Sequence, residues 1–175
     1  MKKVILLLAI MFSAFAHQGE ISNIITPRGI PDPEAASKEI IKEFYKVFST
    51  NDSRELNKIL SPNYTVYDST VLFDSSYSKY DAFSKNLEVR MRALHEALPN
   101  FKLKIIEMVA EGNKILARIE IQGVQKGPFL GVEPTDKPVI IKGFTVFTIS
   151  GGKIIYVNEM WNEFSIMKQI GYIVL

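Results

Sequence analysis

The stretch FKLKIIEMVAEGNKILARIEIQG (residues 101–123), followed by VIIKGFTVFTISGGKIIYVNEMWN (residues 139–162), decides the fold. Both pieces are rich in β-branched and aromatic side chains, which suit a pleated, half-buried surface. They predict strands over Phe101 to Ala110, Lys114 to Gln122, Val139 to Ser150 and Lys153 to Asn162. Glu111-Gly112-Asn113 and Gly151-Gly152 separate two neighbouring pairs, and the Gly-Gly supplies the positive φ angles of a tight hairpin turn. Consecutive antiparallel pairing is therefore expected. In the second strand Ile115, Ala117, Ile119 and Ile121 share one face, while Leu116, Arg118, Glu120 and Gln122 share the other. The third strand is apolar on both faces, with Val139, Ile141 and Phe147 on one and Ile140, Phe144 and Val146 on the other. Both sides then need cover, one from helices and one from a second subunit.

Upstream the grammar is helical. Asp32-Pro33 is a start signal, because the Asp oxygen accepts an orphan N–H and Pro lacks the donor that a first helical position leaves unused. A helix is expected to about Ser49, with Ile40, Ile41, Phe44, Val47 and Phe48 on one face opposite Lys38, Glu39, Lys42, Glu43 and Lys46. Asp52 or Ser53 caps a second helix through Leu60, stopped by Ser61-Pro62-Asn63. Tyr64 to Val71 reads as a short strand, Asp74 to Ser78 as a flexible polar stretch, and Lys79 to Leu98 as the longest helix, stopped by Pro99-Asn100. A short amphipathic helix from Glu163 to Ile170 closes the domain. Helices followed by a curved sheet that wraps them give an α+β class, with an apolar concavity at one end suited to a ligand.

The amino terminus reads as an export signal: Lys2 and Lys3, an apolar run from Val4 to Phe15, and Ala14-Phe15-Ala16 as a small-x-small cleavage site. The run is shorter than the roughly 20 apolar residues of a spanning helix. Cleavage after Ala16 is expected, giving a secreted or periplasmic protein. Residues 17–33 form a Pro- and Gly-containing leader, and residues 34–175 the domain. The 175-residue chain has 21 Lys+Arg against 19 Asp+Glu, and with the two lysines removed the charges balance. A neutral domain with interspersed signs lacks the basic patch of a nucleic-acid binder, and no membrane partner is expected after cleavage. Without Cys there is no thiol catalysis, no Cys-based zinc site, no disulfide and no lipid anchor at the processing site. No phosphate loop, His-Glu-x-x-His or Gly-x-Ser-x-Gly motif is present, so no metal or cofactor is expected.

From Tyr80 to Gly171 the chain resembles the SnoaL-like polyketide cyclases, or ester cyclases, of the nuclear transport factor 2-like superfamily. Three segments carry the resemblance: LHEALPNFKLKIIEMVAEGNKILARIEIQG (94–123), GVQKGPFLGVEPTDKPVIIKGFTVF (123–147) and GGKIIYVNEMWNEFSIMKQIG (151–171). The resemblance implies a cone-shaped α+β barrel, its curved antiparallel sheet wrapped around the amino-terminal helices. It also implies closure of a polyketide ester ring by an intramolecular aldol step, with an acidic side chain at a Trp-Asp position and a His at a Gly-Thr-His position. Here those positions read Trp161-Asn162 and Gly123-Val124-Gln125. An amide does not titrate near neutral pH, so neither can act as a general base.

Other carboxylates compete for that role. Glu159 shares a strand face with Trp161, Glu163 stands at the strand-to-helix junction and Asp68 on the early strand; their plainer roles are a surface ion pair, a helix start and a turn or edge residue. Gln125 or Tyr67 would then donate a hydrogen bond to a developing enolate. Tyr67, Asp68, Gln125, Phe129, Phe144, Glu159, Trp161 and Asn162 are the candidate ligand-binding residues, the aromatics serving equally as plain core. His95 reads as structural, and Arg118 and Lys142 as solvated or paired. Three functions remain open: a binder of a small apolar or polyketide-like molecule, an ester cyclase or isomerase-like enzyme, and a homodimeric interaction module.

Overall fold

A computed structural model describes residues 32–68, 86–129 and 131–173. The export signal, most of the leader, the polar stretch at 74–78 and residues 79–85 of the expected long helix lie outside the described residues. Helix α1 spans Pro33–Thr50, beginning at the proline as expected, and buries Ile41, Phe44, Tyr45, Val47 and Phe48. The Ser49 and Thr50 hydroxyls bond back to the Tyr45 and Val47 carbonyls, and Asn51 turns the chain at φ 58°. Helix α2, Ser53–Ile59, is capped by Asp52, whose side chain accepts from the Arg54 N–H.

Strand β1 starts at once, at Leu60, and is described to Asp68. The helix stops within one residue of the expected Leu60, but the strand expected from Tyr64 begins four residues early, so the proline lies inside it. It is tolerated because β1 is the sheet's edge and its register is interrupted between Leu60 and Thr65, so no ladder N–H is demanded of Pro62. Helix α3 is Leu87–Ala97. The expected continuous helix from Lys79 is corrected at Asn86, which is extended (φ −127°, ψ 106°) and accepts from the Glu88 and Val89 N–H groups as an N-cap.

The remaining strands fall within two residues of their expected limits: β2 Lys102–Glu111, β3 Lys114–Val124, β4 Pro138–Ser150 and β5 Lys153–Trp161, followed by α4, Glu163–Gln169. Gly151 and Gly152 take φ 57° and 72°, the conformation a two-residue hairpin requires. The curved sheet has the order β1-β5-β4-β3-β2. Pairing is antiparallel from β2 to β5, but β1 joins β5 in parallel, which the expectation of consecutive antiparallel strands did not include.

One face of the sheet carries the core. Ile115, Ala117, Ile119 and Ile121 of β3 and Val139, Ile141, Thr145, Phe147 and Ile149 of β4 are buried there. Phe147 meets Phe44 and Tyr45 of α1 edge-on, with ring centroids 5.1 and 5.9 Å apart. The other face leaves Val109, Leu116, Ile140, Phe144 and Met160 exposed. Among the described residues no helix is long and apolar enough to cross a membrane.

Candidate functional site

Apolar packing between the helices and the concave sheet is incomplete at one end, leaving a cavity of about 100 Å³. Its walls are Phe44 and Phe48 of α1, Leu94 of α3, Ile119 and Ile121 of β3 and Ile141 of β4, with Phe129 from the β3–β4 loop and Trp161 at the end of β5. Gly143 makes room for that tryptophan. A Cβ on Gly143 would stand 2.6 Å from the Trp161 ring and 2.5 Å from the Met160 carbonyl oxygen, closer than real contacts allow.

The polar side chains in this wall are Tyr45, Arg90, Glu159 and Glu163. Arg90 and Glu159 form a buried ion pair between α3 and β5, their side chains 6% and 5% exposed. Across the β4–β5 ladder Glu159 stands opposite Thr145, and Tyr45 faces Thr145 from α1. Burial pushes the Tyr45 phenol far above its ordinary value of 10.0, the hydrogen-bonding Thr145 hydroxyl opposes this, and the nearby Glu159 charge adds a lesser push upward. The sign follows from linkage: a neutral phenol is retained in the folded state after the unfolded chain has ionised. Stability should fall as pH rises beyond about 10, by up to about 1.4 kcal/mol per pH unit, and less steeply in Tyr45→Phe. Denaturant melts of both proteins between pH 9 and 11.5 measure the difference; identical slopes would refute it.

The cavity takes four of the nine candidates: Glu159, Glu163, Phe129 and Trp161. Four others lie elsewhere. Gln125 is fully buried but does not line the cavity. Its Nε2 donates to the carbonyls of Gly127, Val132 and Glu133 at 3.1–3.2 Å, and its Oε1 accepts from the Thr135 hydroxyl at 2.6 Å. This clasp shapes the loop that presents Phe129. Gly127 seats the same loop on α3, where a Cβ would stand 2.3 Å from the Glu96 carbonyl oxygen.

Asn162 is exposed and caps α4, accepting from the Ser165 N–H at 2.9 Å. Tyr67 and Phe144 point to the outer face, 59% and 39% exposed, because alternation along a strand assigns them there. Asp68 lies opposite Glu159 in the β1–β5 register; its side chain is outside the described residues. His95 is bound in the framework, with Nε2 2.7 Å from the Phe48 carbonyl oxygen and its ring 4.7 Å from that of Phe101.

Two residues of the site, Tyr45 and Arg90, are not among the candidates named from the sequence. Tyr45 is four residues after Ile41 and three before Phe48, a spacing that places it on the buried stripe of α1. Arg90 lies three after Leu87 and four before Leu94, inside the apolar stripe of α3. A cation at such a position needs a buried partner, and that was the available signal. Among the described residues no group of three or more His, Asp or Glu side chains is arranged to hold a metal ion.

Solved structures share this fold at low sequence identity. TsrD from Streptomyces laurentii superposes with a TM-score of 0.65 at 19% identity, over 79% of this chain and 97% of its own. A structure described as a SnoaL-like polyketide cyclase from Jannaschia sp. CCS1 gives 0.64 at 19%, over 84% and 99%. An epoxide hydrolase from M. tuberculosis, described as LEH-like, gives 0.55 at 14%, over 79% and 91%. The activities named for these proteins thus differ on one architecture, and the likeness establishes the fold alone. No curated protein matches the chain. The model of the SnoaL-like polyketide cyclases matches residues 38–170, most of the chain and every element from α1 to α4, and the protein belongs to that family.

Proposed function

We propose that this protein binds a small, mostly apolar molecule in the cavity between α1, α3 and the concave sheet. The observation that carries the reading is the lining itself: apolar walls with a few polar groups gathered around Tyr45 and Glu159. Gln125 and Asn162, where the resemblance would place titratable groups, support binding without proton transfer at those two positions, since one is consumed by its loop and the other caps a helix. The pairing of Glu159 with Arg90 supports it too. A carboxylate held by a guanidinium is a reluctant base, because taking up a proton would break the pair. Ligand-observed NMR with a panel of one- and two-ring neutral compounds tests the reading. Saturable binding to the wild type that Leu94→Trp weakens by about tenfold or more is expected, since the indole fills the cavity. Absence of any binding to the wild type would end it.

An ester cyclase or isomerase-like enzyme is the second reading, and the presence of Glu159 in the cavity wall favours it over a purely structural domain. It requires turnover of a carbonyl substrate that Glu159→Gln abolishes; binding with no turnover supports the first reading.

Two further features belong to the proposal. The protein acts outside the cytoplasm after cleavage at Ala16, which intact mass of the exported protein checks as a chain beginning at His17. It also pairs as a homodimer through the outer face of the sheet. There Val109, Leu116 and Val146 form a row across β2, β3 and β4, and Phe144 lies opposite Met160. The flanking pairs Arg118–Glu107 and Lys142–Glu120 carry both signs, as a self-complementary patch requires. Light scattering should give a dimer that Phe144→Lys converts to a monomer; a monomeric wild type at micromolar concentration would refute it.

A further inference from the structure

The register of the sheet gives the cavity a long axis. Glu159 stands level with Thr145 and Ala117 across β5, β4 and β3, Trp161 level with Gly143 and Ile119, and Ile121 level with Ile141. The sheet residues that line the cavity therefore occupy three successive rungs, which span about 13 Å at the rise of a strand. Helix α3 runs alongside: Arg90 pairs with Glu159 at the first rung, Leu94 lines the wall one turn on, and the Ala97 carbonyl accepts from the Lys126 and Gly127 N–H groups at 2.9 and 3.2 Å. Past the third rung β3 ends, and the loop that follows brings Phe129 back into the lining, at the end away from Arg90 and Glu159.

That loop is built to hold its shape. Phe129 and Val132 exchange two N–H···O bonds of 2.9 Å, and prolines 128 and 134 fix φ on either side. Among the described residues, the hydrogen bonds of residues 129–135 run to one another or to the buried side chain of Gln125. We propose that Phe129 is the length stop of the site, limiting how long an apolar ligand lying along the rungs can be, and that Gln125 is the positioning residue that holds the ring in place. The proposal deepens the binding reading above and rests on it.

Phenylalkanols from phenylethanol to phenyloctanol probe this in steps of one methylene, and Trp161, the chain's sole tryptophan, reports binding by its fluorescence from the cavity wall. In the wild type, affinity should climb about fourfold for each methylene buried and then level off within the series, where the chain meets Phe129. Phe129→Ala should carry the climb about two methylenes further, so that the longest ligands bind about tenfold more tightly than to the wild type while phenylethanol changes by less than about threefold. Phe129→Leu, the milder change, should shift the limit less. Gln125→Met keeps the volume and removes the clasp; it should also lengthen the limit, with no further shift when combined with Phe129→Ala, whereas a merely structural role would lower the melting temperature and leave the limit unmoved. A wild type with no levelling, a limit unmoved in Phe129→Ala, or equal gains at every length would overturn the length stop while leaving the apolar site standing. A limit unmoved in Gln125→Met would overturn the positioning role. Failure of every member to bind the wild type would instead overturn the binding reading and this inference with it.

Discussion

Arg90→Met is expected to lower the stability of the domain by about 3–5 kcal/mol, the usual cost of leaving one partner of a buried ion pair without the other. Arg90 and Glu159 are 6% and 4% exposed, so water cannot take over the solvation of the abandoned carboxylate. Against a total stability of roughly 5–15 kcal/mol this is a large fraction, and the melting temperature should fall by on the order of 10 °C. The double variant Arg90→Met, Glu159→Gln should recover most of the loss, because it removes the buried charge as well as its partner. Thermal and urea melts of the two variants and the wild type read the cycle directly. A loss below about 1 kcal/mol for the single variant would show that water reaches Glu159 and that the pair is not the polar anchor of the cavity.

The second large effect concerns Phe44. Its ring is fully buried, with Tyr45 and Phe48 at 5.2 Å and Phe147 at 5.1 Å between centroids, and it also lines the cavity. Phe44→Ala should cost about 3–5 kcal/mol, partly the lost transfer energy of the ring and partly the space left behind. That space adjoins the existing cavity, so the variant should gain affinity for a ring the size of the one removed. Benzene added at saturating concentration should raise its melting temperature by more than that of the wild type, since a ligand specific for the folded state stabilises by mass action. If benzene stabilises both proteins equally, the neighbouring side chains have collapsed into the gap, and Phe44 does not set the depth of the site.

Much of this fold was legible because its signals are local. Alternation along Ile115–Ile121 and the paired glycines at 151–152 specify strands and a turn without reference to distant residues. Asp32-Pro33 and Asp52 mark helix starts in the same way. The errors arose where tertiary context overrides local preference. Pro62 argues against a strand until that strand proves to be an edge, and the parallel partnership of β1 with β5 depends on where the whole intervening chain has gone. The site was legible in part: Glu159, Phe129 and Trp161 follow from strand faces and from the family pattern. Gln125 bonds within its own loop and Asn162 caps its own helix, and an amide in a motif position looks the same in sequence whether it does this or meets a ligand.

The sequence by itself determined most of the elements, their order and the buried face of β3, since those depend on periods of two and 3.6 residues and on the backbone demands of Gly and Pro. Only the tertiary structure decided which polar groups share the cavity. Arg90 and Glu159 are 69 residues apart, and Tyr45 and Thr145 are on a helix and a strand with no sequence signal joining them. Read along the chain, each is one polar residue among several. It becomes part of a site when the sheet curves around the helices and brings those stretches together out of water, where an unpaired polar group is costly enough to demand a partner.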